Sequence, residues 1–185
     1  ITMSEKVAFV FPGQGSQTVG MLAEMAEAHP QLLETFGAAS EVLGYDLWAL
    51  AQQGPQEKLN LTETTQPLLL TSSVGIWRIW REQGGELPAL FAGHSLGEYS
   101  ALVCSGVIAF EAAVDLVRQR GRFMQEAVPV GTGAMSAVLG LDDSVVVDIC
   151  KELSSPNAVV EAVNFNSPGQ IVVAGHAEAV EKAGA

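Results

Sequence analysis

The chain is short of positive charge, cysteine, histidine and aromatic side chains, and each shortage narrows what it can do. Nine lysines and arginines stand against 21 aspartates and glutamates, a formal net charge of −12 over 185 residues. So acidic a surface repels phosphate backbones and anionic headgroups, which argues against nucleic acid and membrane surfaces as partners. The two cysteines, Cys104 and Cys150, lie far apart, and neither has a second Cys or His at ligand spacing, so no metal site is expected. Two thiols in such a chain suit a reducing compartment. The first apolar run, Val7 to Phe11, is far too short to cross a bilayer, and no signal peptide is expected from the residues ahead of it. Met3 reads as the natural start, and the cytoplasm is the expected location. Repeats, low-complexity tracts and charge blocks are also missing. What remains is apolar: hydrophobic residues make up 48% of the chain and mean hydropathy is +0.27. That excludes intrinsic disorder, and a chain of this length buries roughly 70% of its unfolded surface.

The order of elements is legible from periodicity and punctuation. Val7–Phe11, closed by Pro12-Gly13, reads as a buried strand. Helices are expected over Val19–Ala28, Gln31–Leu43 and Tyr45–Gln53, ending at His29-Pro30, Gly44 and Gly54-Pro55 respectively. Pro67 is expected to open a strong helix over Leu68–Gln83 with Gly84-Gly85 after it, the usual asymmetry of proline at the start and glycine past the end. Its Ile76, Trp77 and Trp80 read as core residues. A strand over Ala89–Ala92, a sharp turn at Gly93–Gly97, a helix of small residues to Ser105 and a helix over Glu111–Ala127 follow. After Pro129 the texture changes. A strand (Ala134–Leu139), a helix (Asp142–Leu153), two strands (Val159–Val163 and Gln170–Ala174) and a helix from Ala177 give a β-α-β-β-α order. That is a ferredoxin-like subdomain lacking its final strand. The chain stops at Ala185 in mid-helix, so a C-terminal part is expected to be missing.

Gly93-His94-Ser95-Leu96-Gly97 matches G-x-S-x-G, and the apolar strand before it and helix after it are the context of a nucleophile elbow. A sharp strand-to-helix turn holds the serine in strained geometry, and side chains at the glycines would clash. Ser95 would then stand at a helix N-terminus, where the Leu96 N–H and the helix dipole favour an oxyanion. Adjacent residues leave such a turn in different directions, so His94 reads as structural.

Of the nine basic residues, Arg118, Arg120 and Arg122 fall close together. At about 100° per residue, Ala113, Leu116, Val117, Phe123, Met124 and Ala127 share one stripe of the helix, with Arg120 near its middle. Arg118 and Arg122 project from the other side. A guanidinium among core-facing residues cannot shed its charge, so it needs a carboxylate partner or a bound anion. A buried salt bridge to one of the acidic residues and a fork for a substrate carboxylate both satisfy that requirement. The second pairs with Ser95 to suggest acyl transfer from a substrate whose acyl group ends in a carboxylate.

Pro12-Gly13-Gln14-Gly15-Ser16-Gln17 sits where a dinucleotide fingerprint would. The third glycine position is Thr18, however, and no G-K-[ST] follows, so nucleotide binding is discounted. Backbone N–H groups of such a loop can instead supply a second oxyanion donor, with Gln14 the candidate.

Several of these segments closely resemble the malonyl-CoA:acyl carrier protein transacylases, the acyltransferases of fatty-acid and polyketide synthesis. They are Phe11–Gln17, Thr65-Gln66-Pro67, Gly93–Ser100, Arg120–Gln125, Gly131–Met135 and Val163–Gln170, collinear from about Lys6 to Ala185. The resemblance implies an α/β fold, with an α/β-hydrolase-like large domain over 1–129 and an incomplete ferredoxin-like small subdomain over 130–185. It implies ping-pong transfer of malonyl from malonyl-CoA to the phosphopantetheine thiol of acyl carrier protein, with no bound cofactor. Ser95 matches the nucleophile and Arg120 the arginine that binds the malonyl carboxylate. Gln14 and Leu96 match the oxyanion positions, Gln66 a glutamine lining the site, and Asn164 a residue of the subdomain motif. Leu96 after the serine resembles the malonyl-preferring pattern, where glutamine would suggest methylmalonyl.

One departure stands out. The family's general base is a histidine on a segment after the small subdomain, and neither His29 nor His176 matches it. His176 reads as a helix cap. Two other readings therefore stay open, a serine hydrolase or thioesterase with the same elbow, and an inactive fragment of the transferase. Docking an acidic carrier protein on so acidic a chain would need a local basic patch, for which Lys58, Arg78, Arg81, Arg118 and Arg122 are candidates.

Overall fold

The computed structural model describes residues 6–128 and 131–184. The fold is mixed α/β and divides into two compact units, Ile1–Gln125 and Glu126–Ala185. The boundary expected between 129 and 130 lies at residues outside those described.

In the first unit, β1 (Ala8–Phe11) and β2 (Leu90–Gly93) pair in parallel, with Ala8 opposite Leu90 and Phe11 opposite Gly93. Around them lie α1 (Ala23–Ala28), α2 (Gln31–Leu43), α3 (Leu47–Gln53), α4 (Gln56–Leu59), α5 (Thr62–Glu82), α6 (Leu96–Cys104) and α7 (Phe110–Glu126). The apolar core joins Leu32, Phe36 and Leu47 to Leu68, Leu70 and Val74 of α5. Phe9, Trp77 and Phe91 lock the strands to that helix through edge-to-face contacts at 5.1 Å.

The strand over Val7–Phe11 is not the buried one expected, since Val7, Ala8 and Val10 are exposed, and four further expectations need correcting. The segment before α1 is not helical until Ala23, because its backbone groups bond elsewhere. Val19 N–H donates to Gln56 Oε1 at 3.0 Å, Gly20 N–H to the Ala51 carbonyl at 2.9 Å, and Leu22 takes a left-handed φ of 63°. Helix α5 begins at Thr62, so Pro67 lies inside it. The three threonines Thr62, Thr64 and Thr65 have low helix propensity, and tertiary packing overrides it. Of the expected tryptophan face, Trp77 is buried while Ile76 and Trp80 are exposed. Trp80 turns outward to give its indole N–H to the Glu86 carbonyl at 3.0 Å.

The fourth correction concerns α7. Its buried stripe is Phe110, Ala113, Val114, Val117 and Gly121, whereas Leu116, Phe123, Met124 and Ala127 are exposed. The helix is rotated because Gly121 faces the first turn of α5. A Cβ there would fall 2.5 Å from the Thr62 carbonyl oxygen. Arg120 thereby moves from the middle of the stripe to its half-buried flank.

Cys104 is buried against this core, and desolvation pushes its thiol from the ordinary 9.0 up to about 12, although Arg78 pulls the other way. The native thiol is expected to resist iodoacetamide at pH 8 and to react once denaturant opens the core. The raised folded value also fixes the sign of its pH dependence. Its contribution to stability is complete below the ordinary value of 9.0 and is lost as pH rises toward the folded one, about 12.

The second unit holds β3 (Gly133–Leu139), α8 (Asp143–Leu153), β4 (Val160–Ser167), β5 (Gln170–His176) and α9 (Ala177–Ala183). Its sheet is antiparallel in the order β3-β5-β4, and Val146, Cys150, Val160, Ile171, Val173 and Val180 form its core. Strands β4 and β5 both run past their expected ends, β4 by way of register shifts between Ala162 and Asn164 and between Phe165 and Ser167. Among the described residues, no helix is long and apolar enough to cross a membrane.

Candidate active site

Parallel pairing of β1 and β2 sends the chain out of both strands at the same carboxyl edge, the usual place for ligands in such sheets. The loop after β1 and the turn after β2 touch there, since a Cβ at Gly13 would lie 3.4 Å from the His94 carbonyl oxygen. The loop is pinned by its own side chains. Gly15 N–H donates to Gln17 Oε1 at 2.9 Å, and Gln17 Nε2 donates to Asn60 Oδ1 at 3.0 Å.

Ser95 has φ 54° and ψ −111°, one of two non-glycine residues with positive φ among those described. Such geometry costs on the order of 1–3 kcal/mol and persists only when the surroundings impose it. Here they do. Gly97 N–H closes the turn onto the His94 carbonyl at 2.9 Å, and Glu98 N–H bonds the Ser95 carbonyl at 3.2 Å. A Cβ at Gly93 would come 2.0 Å from the Gly97 carbonyl carbon, and one at Gly97 would come 2.3 Å from the Phe11 carbonyl oxygen. Only glycine lets strand, turn and helix lie this close. Ser95 is consequently exposed at the N-terminus of α6, while the Leu96 side chain is buried beneath it.

Arg120 reaches this serine from α7. Its Nη2 donates to Ser95 Oγ at 3.0 Å and its Nη1 to Gln66 Oε1 at 2.8 Å, while Cζ lies 5.5 Å from the Tyr99 ring centre. Among the described residues, no carboxylate pairs with it. The contrast with Arg118 is direct, since that guanidinium is tied to Asp115 at 2.5 Å. Of the two ways to satisfy Arg120, the intramolecular salt bridge is therefore not the one used, and its charge faces the serine. Tyr99 and Met124 join this group without having been singled out in the sequence. Met124 enters the sequence reading only as a member of the apolar stripe and of the Arg120–Gln125 segment, and Tyr99 only as a member of Gly93–Ser100.

The remaining expected residues fall as follows. Gln14 is exposed on the loop after β1, brought to the same edge by strand register. Asn164 lies in β4 of the second unit, opposite Val172. None of His29, His94 and His176 hydrogen-bonds Ser95 among the described contacts. His29 ends α1, and His176 does not cap α9 with its side chain; its Nδ1 accepts the Val159 N–H at 3.0 Å instead. Of the basic candidates, Arg78 is half-buried, donating to Thr35 Oγ1 at 3.0 Å, and Arg81 donates to the Gly85 carbonyl at 2.6 Å.

Comparison with known proteins places this geometry. The chain is 68% identical over 178 residues to the malonyl CoA-acyl carrier protein transacylase of Salmonella typhimurium, and 66% identical over the same length to that of Escherichia coli K12. Those alignments cover 96% of this chain but 57% of each relative, so the chain spans well under two thirds of their length. A crystal structure of an acyl carrier protein S-malonyltransferase from Vibrio cholerae superposes with a TM-score of 0.90 at 60% identity, covering 97% of this chain and 58% of that one. A malonyl-transacylase solved in complex with a type II polyketide acyl-carrier protein gives 0.91 at 61%, with the same coverage. Residues 8–183 match the acyl transferase domain family, and the chain belongs to it.

Proposed function

We propose that the protein transfers a malonyl group from malonyl-CoA to the phosphopantetheine thiol of acyl carrier protein, through an ester on Ser95. The observation that carries this reading is a guanidinium with no carboxylate partner among the described residues, 3.0 Å from a serine hydroxyl on a strained elbow. A malonyl carboxylate is a stronger acceptor than a neutral hydroxyl and would take the Arg120 fork, which releases Ser95 Oγ and sets the thioester carbonyl beside it. Ser95 Oγ then bonds to the carbonyl carbon, the C–S bond breaks, and coenzyme A leaves as the thiol carrying the hydroxyl proton. The carrier thiol reverses these steps and regenerates the serine. Backbone N–H groups of Leu96 and Gln14 are the proposed oxyanion donors, and Leu96 after the serine supports malonyl over methylmalonyl. The described histidines give Ser95 no base, and the family's histidine on a later segment is the proposed one.

The finer fold description belongs to the same reading. A parallel β1–β2 pair carrying the elbow supports an α/β-hydrolase-like large domain, and the order β3-β5-β4 in a β-α-β-β-α run supports a ferredoxin-like small one. Malonyl-CoA enters as substrate, with no bound cofactor proposed, and the proposed compartment is the cytoplasm. A hydrolase of neutral esters has no use for the Arg120 charge. The test supplies malonyl-CoA with carrier protein that has or lacks phosphopantetheine. Malonylated carrier protein, seen by mass only when the thiol is present, is expected. Hydrolysis of neutral esters without transfer would overturn the reading in favour of a hydrolase.

A further inference from the structure

Behind Arg120 lies a chain of hydrogen bonds with one allowed direction. Gln66 is 0% exposed, so it does not line the site as a surface would; it acts on whatever it touches. Its Oε1 accepts from Arg120 Nη1 at 2.8 Å, and its Nε2 donates to Met124 Sδ at 3.2 Å. A guanidinium only donates, so the amide must turn its oxygen to Arg120. The NH2 group then points away and requires an acceptor, and a thioether sulfur can only accept. Met124 stands one helical turn beyond Arg120 on α7, and α5 supplies Gln66 between them. Each donor meets an acceptor from the thioether to the serine.

The chemical type of the middle residue carries the consequence. A glutamate at 66 would hold the guanidinium equally well but would neutralise it. An amide holds it and leaves the full charge for an incoming anion. In a chain with 21 acidic residues, a neutral group occupies the buried side of this arginine. We propose that Gln66 and Met124 are positioning residues that set the preference for a carboxylate-bearing acyl group. Gln66 fixes Arg120 without spending its charge, and Met124 fixes the amide of Gln66. This rests on the function proposed above and names how its selectivity is built.

The readout is the ratio of affinities for malonyl-CoA and acetyl-CoA, measured by calorimetry on the protein with Ser95→Ala to prevent turnover. Gln66→Glu is expected to lower that ratio on the order of 10- to 100-fold, the weight of a charge-assisted hydrogen bond, with the melting temperature held or raised. Met124→Leu removes the acceptor and is expected to lower the ratio several-fold, whereas Met124→Gln, which can present an oxygen, retains it. A purely structural role would move both affinities together and would not distinguish leucine from glutamine. Arg120→Ala separates the two levels. If it leaves the ratio unchanged, the proposed function itself fails. If it collapses the ratio while Gln66→Glu and Met124→Leu do not, the positioning roles alone are overturned.

Discussion

Replacing Gly97 with alanine is expected to prevent the elbow from closing and to cost the first unit most of its stability. The added Cβ would sit 2.3 Å from the Phe11 carbonyl oxygen and 3.1 Å from that of Pro12, and both are backbone atoms of the strand end. Backbone cannot step aside as a side-chain tip can, so β1 and α6 would have to separate. That places Gly97→Ala among the severe substitutions, about 4 kcal/mol or more in a domain whose whole stability is about 5–15 kcal/mol. Gly93→Ala meets the Gly97 carbonyl group at 2.0 to 2.1 Å and is expected to act the same way. The control is Gly37 in α2, which has open space around its Cβ position. Gly37→Ala is expected to raise stability by about 0.5–1 kcal/mol through helix propensity. Urea unfolding followed by circular dichroism distinguishes the three. A Gly97→Ala protein unfolding at the native midpoint would show that the close approach of β1 and α6 is not obligatory.

Arg120→Ala is expected to remove about 3 kcal/mol of binding to a carboxylate-bearing acyl group, roughly a 10²-fold fall in kcat/KM for malonyl-CoA. Reaction with acetyl-CoA has no carboxylate to lose and is expected to change far less. Arg120→Lys keeps the charge but loses the two-pronged donor that bridges Gln66 and Ser95, so it is expected to recover only part of the loss. Steady-state rates with the two thioesters check both statements. Equal losses for malonyl and acetyl would mean that Arg120 supports the fold and not the substrate.

The serine turn was legible because its requirements are local. Strand, two glycines and helix lie within a few residues of Ser95, and their contacts are sterically forced. Arg120 was legible for a different reason, since a cation close to an apolar stripe demands an anion. Its position was nonetheless misjudged, because the rotation of α7 is set by Gly121 against Thr62 of α5, a contact across distant sequence. The start of α5 was hidden by the same cause: Thr62, Thr64 and Thr65 disfavour a helix in isolation, and burial of Thr64, Thr65 and Gln66 decides the matter. The partner of Gln66 could not be read at all. A methionine on an amphipathic helix signals core packing, and only its register against α5 makes the sulfur an acceptor.

The measurement that bears most directly on the central claim is the site of acylation. The protein is incubated with malonyl-CoA, quenched in acid, digested and mapped by mass. A malonyl ester on Ser95, absent from Ser95→Ala and scarce in Arg120→Ala, is the predicted result. A malonyl group carried on another residue, or a Ser95 acylated equally well by acetyl-CoA, would contradict the account of an elbow serine served by a carboxylate-reading arginine.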